Sequence, residues 1–306
     1  MTTTTPAPPR RARRRSRFLV ALPFLAPALV AYLFFVVGPM IESVRLSFFD
    51  WTGFVGAPQE FVGFDNYVRI FTQDPVFWTA FRNTVIWIVL SLIIPLTISL
   101  LLALALNRPL FGRNLFRSVF YIPGVLASIA VANMWRWIYN PNYGIGASIG
   151  EALGWPWLAD IQWLGDQNIA LYSVFIAFVW QSVGTNMVLF LAGLQSVQKD
   201  HIDAARIDGA NSWQVFRNVT LPALRPTMVI VFVLTFIGAI KVFDLIVGMT
   251  GGGPAQMTQV LALWSYQQSI TNHEYGPGNA VATVLLVVTL AVVLPYLAWT
   301  ARQEDS

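Results

Sequence analysis

The side chains able to do chemistry are few. The chain has no cysteine and two histidines, His201 and His273. The histidines stand in separate polar segments without metal-ligand spacing, so each reads as a solvated loop residue, and neither a metal site nor a catalytic residue is assigned. Only two lysines occur, Lys199 and Lys241, followed by Asp200 and Val242. A phosphate loop of the form Gly-x-x-x-x-Gly-Lys-Ser/Thr can therefore be written nowhere in the chain. What remains is a set of polar side chains inside long apolar runs: Asn133, then Trp180, Gln181, Ser182, Thr185 and Asn186, then Lys241 and Asp244. Polar groups at membrane depth are costly and mark solute pathways by default. They read equally well as hydrogen bonds between neighbouring helices, with Lys241 and Asp244 as an i,i+3 ion pair on one helix. Trp180 either stacks on a ring of the solute or fills an interface. An intramembrane aspartyl enzyme needs two facing carboxylates, and these runs supply only Asp244.

The elements that position these residues follow from composition. The chain is 56% hydrophobic and 11% charged, where soluble domains carry roughly 25% charged residues. Six apolar segments reach or approach ~20 residues, the length of a membrane-spanning helix: Phe18 to Val37, Ala80 to Leu106, Val119 to Tyr139, Ile169 to Leu191, Thr227 to Val247 and Ala280 to Trp299. The fold class expected is an all-α integral membrane protein with six transmembrane helices. Pro95, together with Gly and Ser residues in the spans, suggests kinks and close helix contacts. The net charge of +4 does not point to nucleic acid, because six of the nineteen basic residues lie between Arg10 and Arg17, beside the first span. Lys and Arg then alternate by connection: Arg45 and Arg69 follow the first span, Arg108, Arg113 and Arg117 precede the third, none occurs from Asn140 to Asn168, four lie from Gln195 to Pro226, and none from Gly248 to Asn279. Basic residues are retained on the cytoplasmic side, so both termini are expected there, with the segments beginning near Gly38, Asn140 and Gly248 outside. The lipid bilayer is the first partner implied.

The N-terminus has two readings. Arg14 to Leu19 resembles a twin-arginine export signal, with Ala26 and Ala28 as a small-residue cleavage site. The apolar run continues to Val37, which favours an uncleaved anchor. The organisation expected is a disordered basic tail at 1–17, a first helix with its outer loop at 18–79, a core at 80–300 and a cytoplasmic tail at 301–306.

Two connections carry the strongest patterns. From His201 to Pro222 the chain reads as two short helices: Gly209 takes the left-handed conformation that closes the first, Asn211 or Ser212 caps the second, and Pro222 ends it. Ala204, Ala205, Gly209 and Ala210 are small enough to let another backbone approach. On physical grounds alone this is an ordinary turn between spans. The other block runs from Phe243-Asp244 to Thr250-Gly251-Gly252-Gly253-Pro254, and on physical grounds it is a flexible turn.

Taken together, the motifs resemble the permeases of bacterial binding-protein-dependent ABC importers. Asp203-Ala204-Ala205-x-x-Asp208-Gly209-Ala210, followed by Phe216, Leu221 and Pro222, looks like the family's EAA loop, about 195–226 here. The resemblance implies that this loop is a coupling helix docking on a separate ATPase. Asp203 departs from the usual Glu, keeping charge and shortening reach. Phe243-Asp244 with the glycine block looks like the sugar-transporting branch, and in particular its first-permease type. Val62 to Tyr67, Arg117 with Pro123, Ala192 to Gln195 and Tyr275-Gly276 fall in family order, so the likeness covers nearly the whole chain. The last span is followed closely by Ser306, whereas second-type permeases extend further. The resemblance thus implies a second, different permease, an ATPase dimer holding ATP and Mg, an external solute-binding protein, a bacterial cell membrane, and solute contacts from the fourth and fifth spans. An ion-coupled secondary carrier is the alternative within transport; it predicts buried carboxylates and internal repeats, and no repeat is visible.

Overall fold

A computed structural model describes residues 23–54 and 56–304; the tail at 1–17, residues 18–22 of the first apolar segment and the last two residues lie outside it. The apolar segments form helices because only internal hydrogen bonding satisfies the backbone away from water. In chain order, α1 spans Pro23–Leu46, running on past the expected end at Val37 through a π turn at Leu33–Val37. A short hairpin, β1 (Phe49–Asp50) with β2 (Glu60–Phe61), leads to α2 (Asp65–Thr72). α3 (Pro75–Leu106) begins at Asp74, whose Oδ1 accepts from the Val76 and Phe77 amides. Pro95 stays inside α3 without breaking it. After α4 (Arg113–Val125), α5 (Ser128–Ile138), α6 (Ile145–Leu153) and α7 (Pro156–Ala159) comes α8 (Ala170–Gln195). The polar connection holds α9 (Lys199–Ile207) and α10 (Ser212–Ala223). The chain ends with α11 (Arg225–Ile240), α12 (Asp244–Met249), α13 (Leu261–Tyr266) and α14 (Tyr275–Glu304).

Among the described residues, α1, α3, α8 and the stretch Tyr275–Tyr296 of α14 are long and apolar enough to cross a bilayer unbroken. The other two expected spans are not straight. Val119 to Tyr139 is divided between α4 and α5, which meet at 104°, and α11 follows α10 at 68°. α11 also stops short of the expected Val247, ending at Ile240. The six-span layout therefore counts α4 with α5 as one bent crossing and takes α11, entered from α10 through the 68° bend, as the other.

α3 and α8 pack side by side along the centre, with α4 against α8, α11 against α3, and α5 against α12. The α4–α8 approach is close because Gly184 has no side chain: a Cβ there would lie 1.8 Å from the Phe120 carbonyl oxygen. α14 gathers α1, α2 and α13. One end of the bundle is sealed by Phe77, Leu261 and Ala280, the other by Leu106, Leu194 and Leu224. α3, at 32 residues, joins the two ends over about 48 Å.

The end that carries the hairpin is rigidly tied. Asn66 of the Val62–Tyr67 motif donates to the Ser47 and Phe49 carbonyls at 2.9 and 3.0 Å. The Tyr275 amide bonds to the Trp51 carbonyl at 3.0 Å, and Arg69 pairs with Glu274 at 2.7 Å. The glycine block is not the flexible turn expected from local sequence. Thr258 donates to the Gly253 carbonyl at 2.7 Å, and Asn83 of α3 donates to the Met257 and Gln259 carbonyls at 2.8 and 2.9 Å. Thr258 and Gln259 are fully buried. The left-handed φ values of Gly251 (+61°) and Gly252 (+95°) serve this folded-back path, which residues with a Cβ resist.

Candidate functional site

The two breaks in the helices face each other. Between α4 and α5, Leu126 and Ala127 are extended (ψ 142° and 137°). This frees backbone carbonyls that the bilayer cannot satisfy. Gln181 of α8 supplies one partner, its Nε2 donating to the Leu126 carbonyl at 3.0 Å and reaching Ser128 Oγ at 3.4 Å. Between α11 and α12, Lys241 to Phe243 leave the helix, and Asp244 starts the next one. The fifth-span pair is therefore not an intrahelical i,i+3 pair. The helix ends between the two residues, and they form no ion pair among the described residues.

A cavity of about 430 Å³ lies between the breaks, lined by Gly124 and Ser128, by Gln181, Ser182, Thr185 and Asn186 of α8, and by Lys241 and Asp244. The α8 residues are near the middle of that helix, where i, i+3 and i+4 positions share a face. Asn186 is also a packing residue, donating to Thr235 Oγ1 of α11 at 3.1 Å in a buried contact. Six of the eight candidates meet here. Asn133 does not: it is exposed on α5 and donates to its own helix at the Ile129 carbonyl, 3.0 Å away. Trp180 also lies outside the lining, with its ring edge-to-face on Trp135 at 6.0 Å, because one residue along a helix turns a side chain by about 100°. Gly124, Ser128 and Thr235 escaped the sequence reading. Pro123 before Gly124, which removes one helical hydrogen bond inside an apolar run, was the available signal.

The polar connection forms a second feature at the Leu106–Leu224 end. α9 closes with a double hydrogen bond, Ala210 N to Ala205 O at 3.0 Å and Gly209 N to Arg206 O at 3.1 Å, around Gly209 at φ +86°. This is the Schellman geometry that favours glycine. Asn211 then caps α10 reciprocally, its Oδ1 accepting from Gln214 N at 2.9 Å while Gln214 Oε1 accepts from Asn211 N at 2.8 Å. α10 passes through a π turn at Phe216–Thr220 and ends at Ala223, one residue beyond Pro222. Asp203, Ala204, Asp208 and Gly209 are exposed, Ala205 and Ala210 half-buried. Asp203 meets Arg206 at 3.7 Å, an exposed contact of little energetic weight. Ile207 and Trp213 are 86% and 65% exposed, and a Cβ on Gly209 would meet nothing within 4 Å. Phe216 packs under Trp213 with centroids 5.5 Å apart; Leu221 and Pro222 continue the surface toward α11. An internally braced surface of mixed polarity at one end of a helix bundle, with a central cavity that carries amide, hydroxyl and charged side chains, is the architecture of a multi-pass membrane protein.

Residues 95–303 match the family described as binding-protein-dependent transport system inner membrane component. The chain is 34% identical over 282 residues to a probable ABC transporter permease protein of Pyrococcus horikoshii, covering 92% of this chain and 96% of that protein. It is 32% identical to the trehalose/maltose transport system permease protein MalF of Thermococcus litoralis, covering 92% of each. In three dimensions it follows a chain of a bacterial ABC transporter involved in alginate import, with a TM-score of 0.79, 24% identity, and coverage of 96% of this chain and 99% of that one. The chain belongs to the family of binding-protein-dependent transport system inner membrane components. It is thus a transport subunit rather than an enzyme, and the secondary-carrier alternative falls away.

Proposed function

We propose that this subunit forms half of the pathway for a carbohydrate or related polyol and is driven by a separate ATPase. The observation that carries the proposal is the cavity between the two helix breaks. Its amide and hydroxyl groups (Gln181, Ser182, Thr185, Asn186) suit a solute rich in hydroxyls, and one cation and one anion leave it without net charge. Relatives whose names specify sugar transport, such as the multiple sugar-binding transport system permease protein MsmF of Streptococcus mutans at 34% identity, support this solute class.

The 195–226 segment faces the cytoplasm in this reading, in keeping with its four basic residues, and both termini lie on the same side. Asp203 to Ala210, with Phe216, Leu221 and Pro222, docks on an ATPase dimer that holds ATP and Mg. Closure of that dimer moves the braced α9–α10 unit as a rigid body and, through the bend into α11, the cavity wall at Lys241 and Asp244. A second, different permease completes the pore, an external solute-binding protein delivers the solute, and the assembly sits in a bacterial cell membrane.

The test is the complex reconstituted in liposomes with its binding protein. ATP hydrolysis and uptake are expected to rise together when the binding protein carries a mono- or oligosaccharide or a polyol. Stimulation by an amino acid or peptide instead would overturn the solute class.

A further inference from the structure

The inside of the α10–α11 bend forms a groove that shares Leu221 and Pro222 with the proposed docking surface and whose other walls the transport reading does not use. It encloses about 430 Å³ and is lined by Arg217, Leu221 and Pro222 on one arm, Arg225, Met228 and Val229 on the other, and Tyr296 of α14. We propose that this groove binds an anionic phospholipid, with the phosphate between Arg217 and Arg225 and one acyl chain along Met228, Val229 and Tyr296.

Charge and depth together select this occupant. Both arginines are exposed, and neither has an ion-pair partner among the described residues. No carboxylate lines the groove. Two guanidinium groups beside one cleft raise a positive potential, and their planar donors match phosphate oxygens. Arg225 is the first residue of α11, so Met228 and Val229 lie roughly 5 Å deeper along the apolar helix. Tyr296 closes the far wall, its ring stacked on Phe232 at 4.4 Å. Positive charge above an apolar trough at a span end follows the order of a phospholipid, head group and then chain, and basic pockets between spans on the cytoplasmic side take anionic head groups. A soluble phosphate would use the arginines and leave the apolar wall unmatched.

The proposal rests on the orientation given above. Ser212→Cys tests that orientation separately, because the chain has no cysteine of its own: labelling by a membrane-impermeant maleimide only from the cytoplasmic side is expected, and labelling from outside overturns the orientation. For the lipid itself, the full transporter complex is exchanged into nanodiscs of phosphatidylcholine with phosphatidylglycerol, and retained lipid is read by native mass spectrometry. The wild type is expected to retain phosphatidylglycerol in preference. Arg217→Gln or Arg225→Gln is expected to lower that preference about fivefold and the pair about thirtyfold, while Arg113→Gln, away from the groove, leaves it unchanged. An unchanged preference in the double variant overturns the proposal. So does loss of a protein subunit from the double variant in pure phosphatidylcholine, which would make the groove a subunit contact. Val229→Trp, which fills the trough with both arginines intact, is read alongside; it is expected to reduce retention, and full retention also overturns the proposal.

Discussion

The α9–α10 surface and the central cavity are built in opposite ways. Every bond that shapes the surface is local: Ala210 to Ala205, Gly209 to Arg206, Asn211 with Gln214. The bonds that shape the cavity join distant residues, Gln181 to Leu126 across 55 positions and Asn186 to Thr235 across 49. A surface exposed to solvent cannot draw stability from burial, so its conformation has to come from its own turn and cap residues. A cavity that must stay hollow and polar inside an apolar bundle needs neighbours to hold its walls.

The largest effect expected is at the helix contact beneath the cavity. Gly184→Val places a side chain against the Phe120 carbonyl, which is backbone and cannot rotate away, and it should cost about 3 kcal/mol or more. Loss of correctly folded protein from membranes, read by fluorescence-detected size-exclusion chromatography, is the expected result; a normal profile would show that α4 and α8 are not held together there. Gly209→Val separates surface from cavity more finely. Its left-handed φ costs roughly 1–2 kcal/mol with a Cβ, yet the space around it is open. Membrane levels should therefore stay near wild type while solute-stimulated ATP hydrolysis falls at least tenfold, and retained coupling would argue that the docking surface lies elsewhere.

Smaller differences test the cavity wall. Gln181→Leu leaves the Leu126 carbonyl short of a partner, at about 1–3 kcal/mol, and should raise the KM for uptake. Trp180→Phe, one residue away but outside the lining, should leave KM within about twofold; equal effects from the two would mean that the cavity is not the pathway. Asn211→Ala removes a reciprocal cap worth about 1 kcal/mol. It should lower the melting temperature of the complex by only a few degrees while impairing coupling less than Gly209→Val.

The amino-acid order alone determined the membrane class, the six apolar segments, the turn at Gly209 and a cap at Asn211 or Ser212, which the structure assigns to Asn211, because composition, basic-residue alternation and short-range turn chemistry act within a few residues of where they are written. It also carried the family resemblance, through motifs spread from Val62 to Gly276. Tertiary structure decided the rest. Hydropathy reports that a segment is apolar, not that it is straight, so the bend at Leu126–Ala127, where Gln181 of α8 meets a freed carbonyl, and the break at Lys241–Phe243 are visible only in the folded bundle. The glycine block looks flexible in isolation and is pinned because Asn83, far away in the chain, donates to it. Which polar side chains line the cavity was likewise a matter of helix rotation: Gln181 faces it and Trp180 does not, a difference of one residue that packing alone resolves.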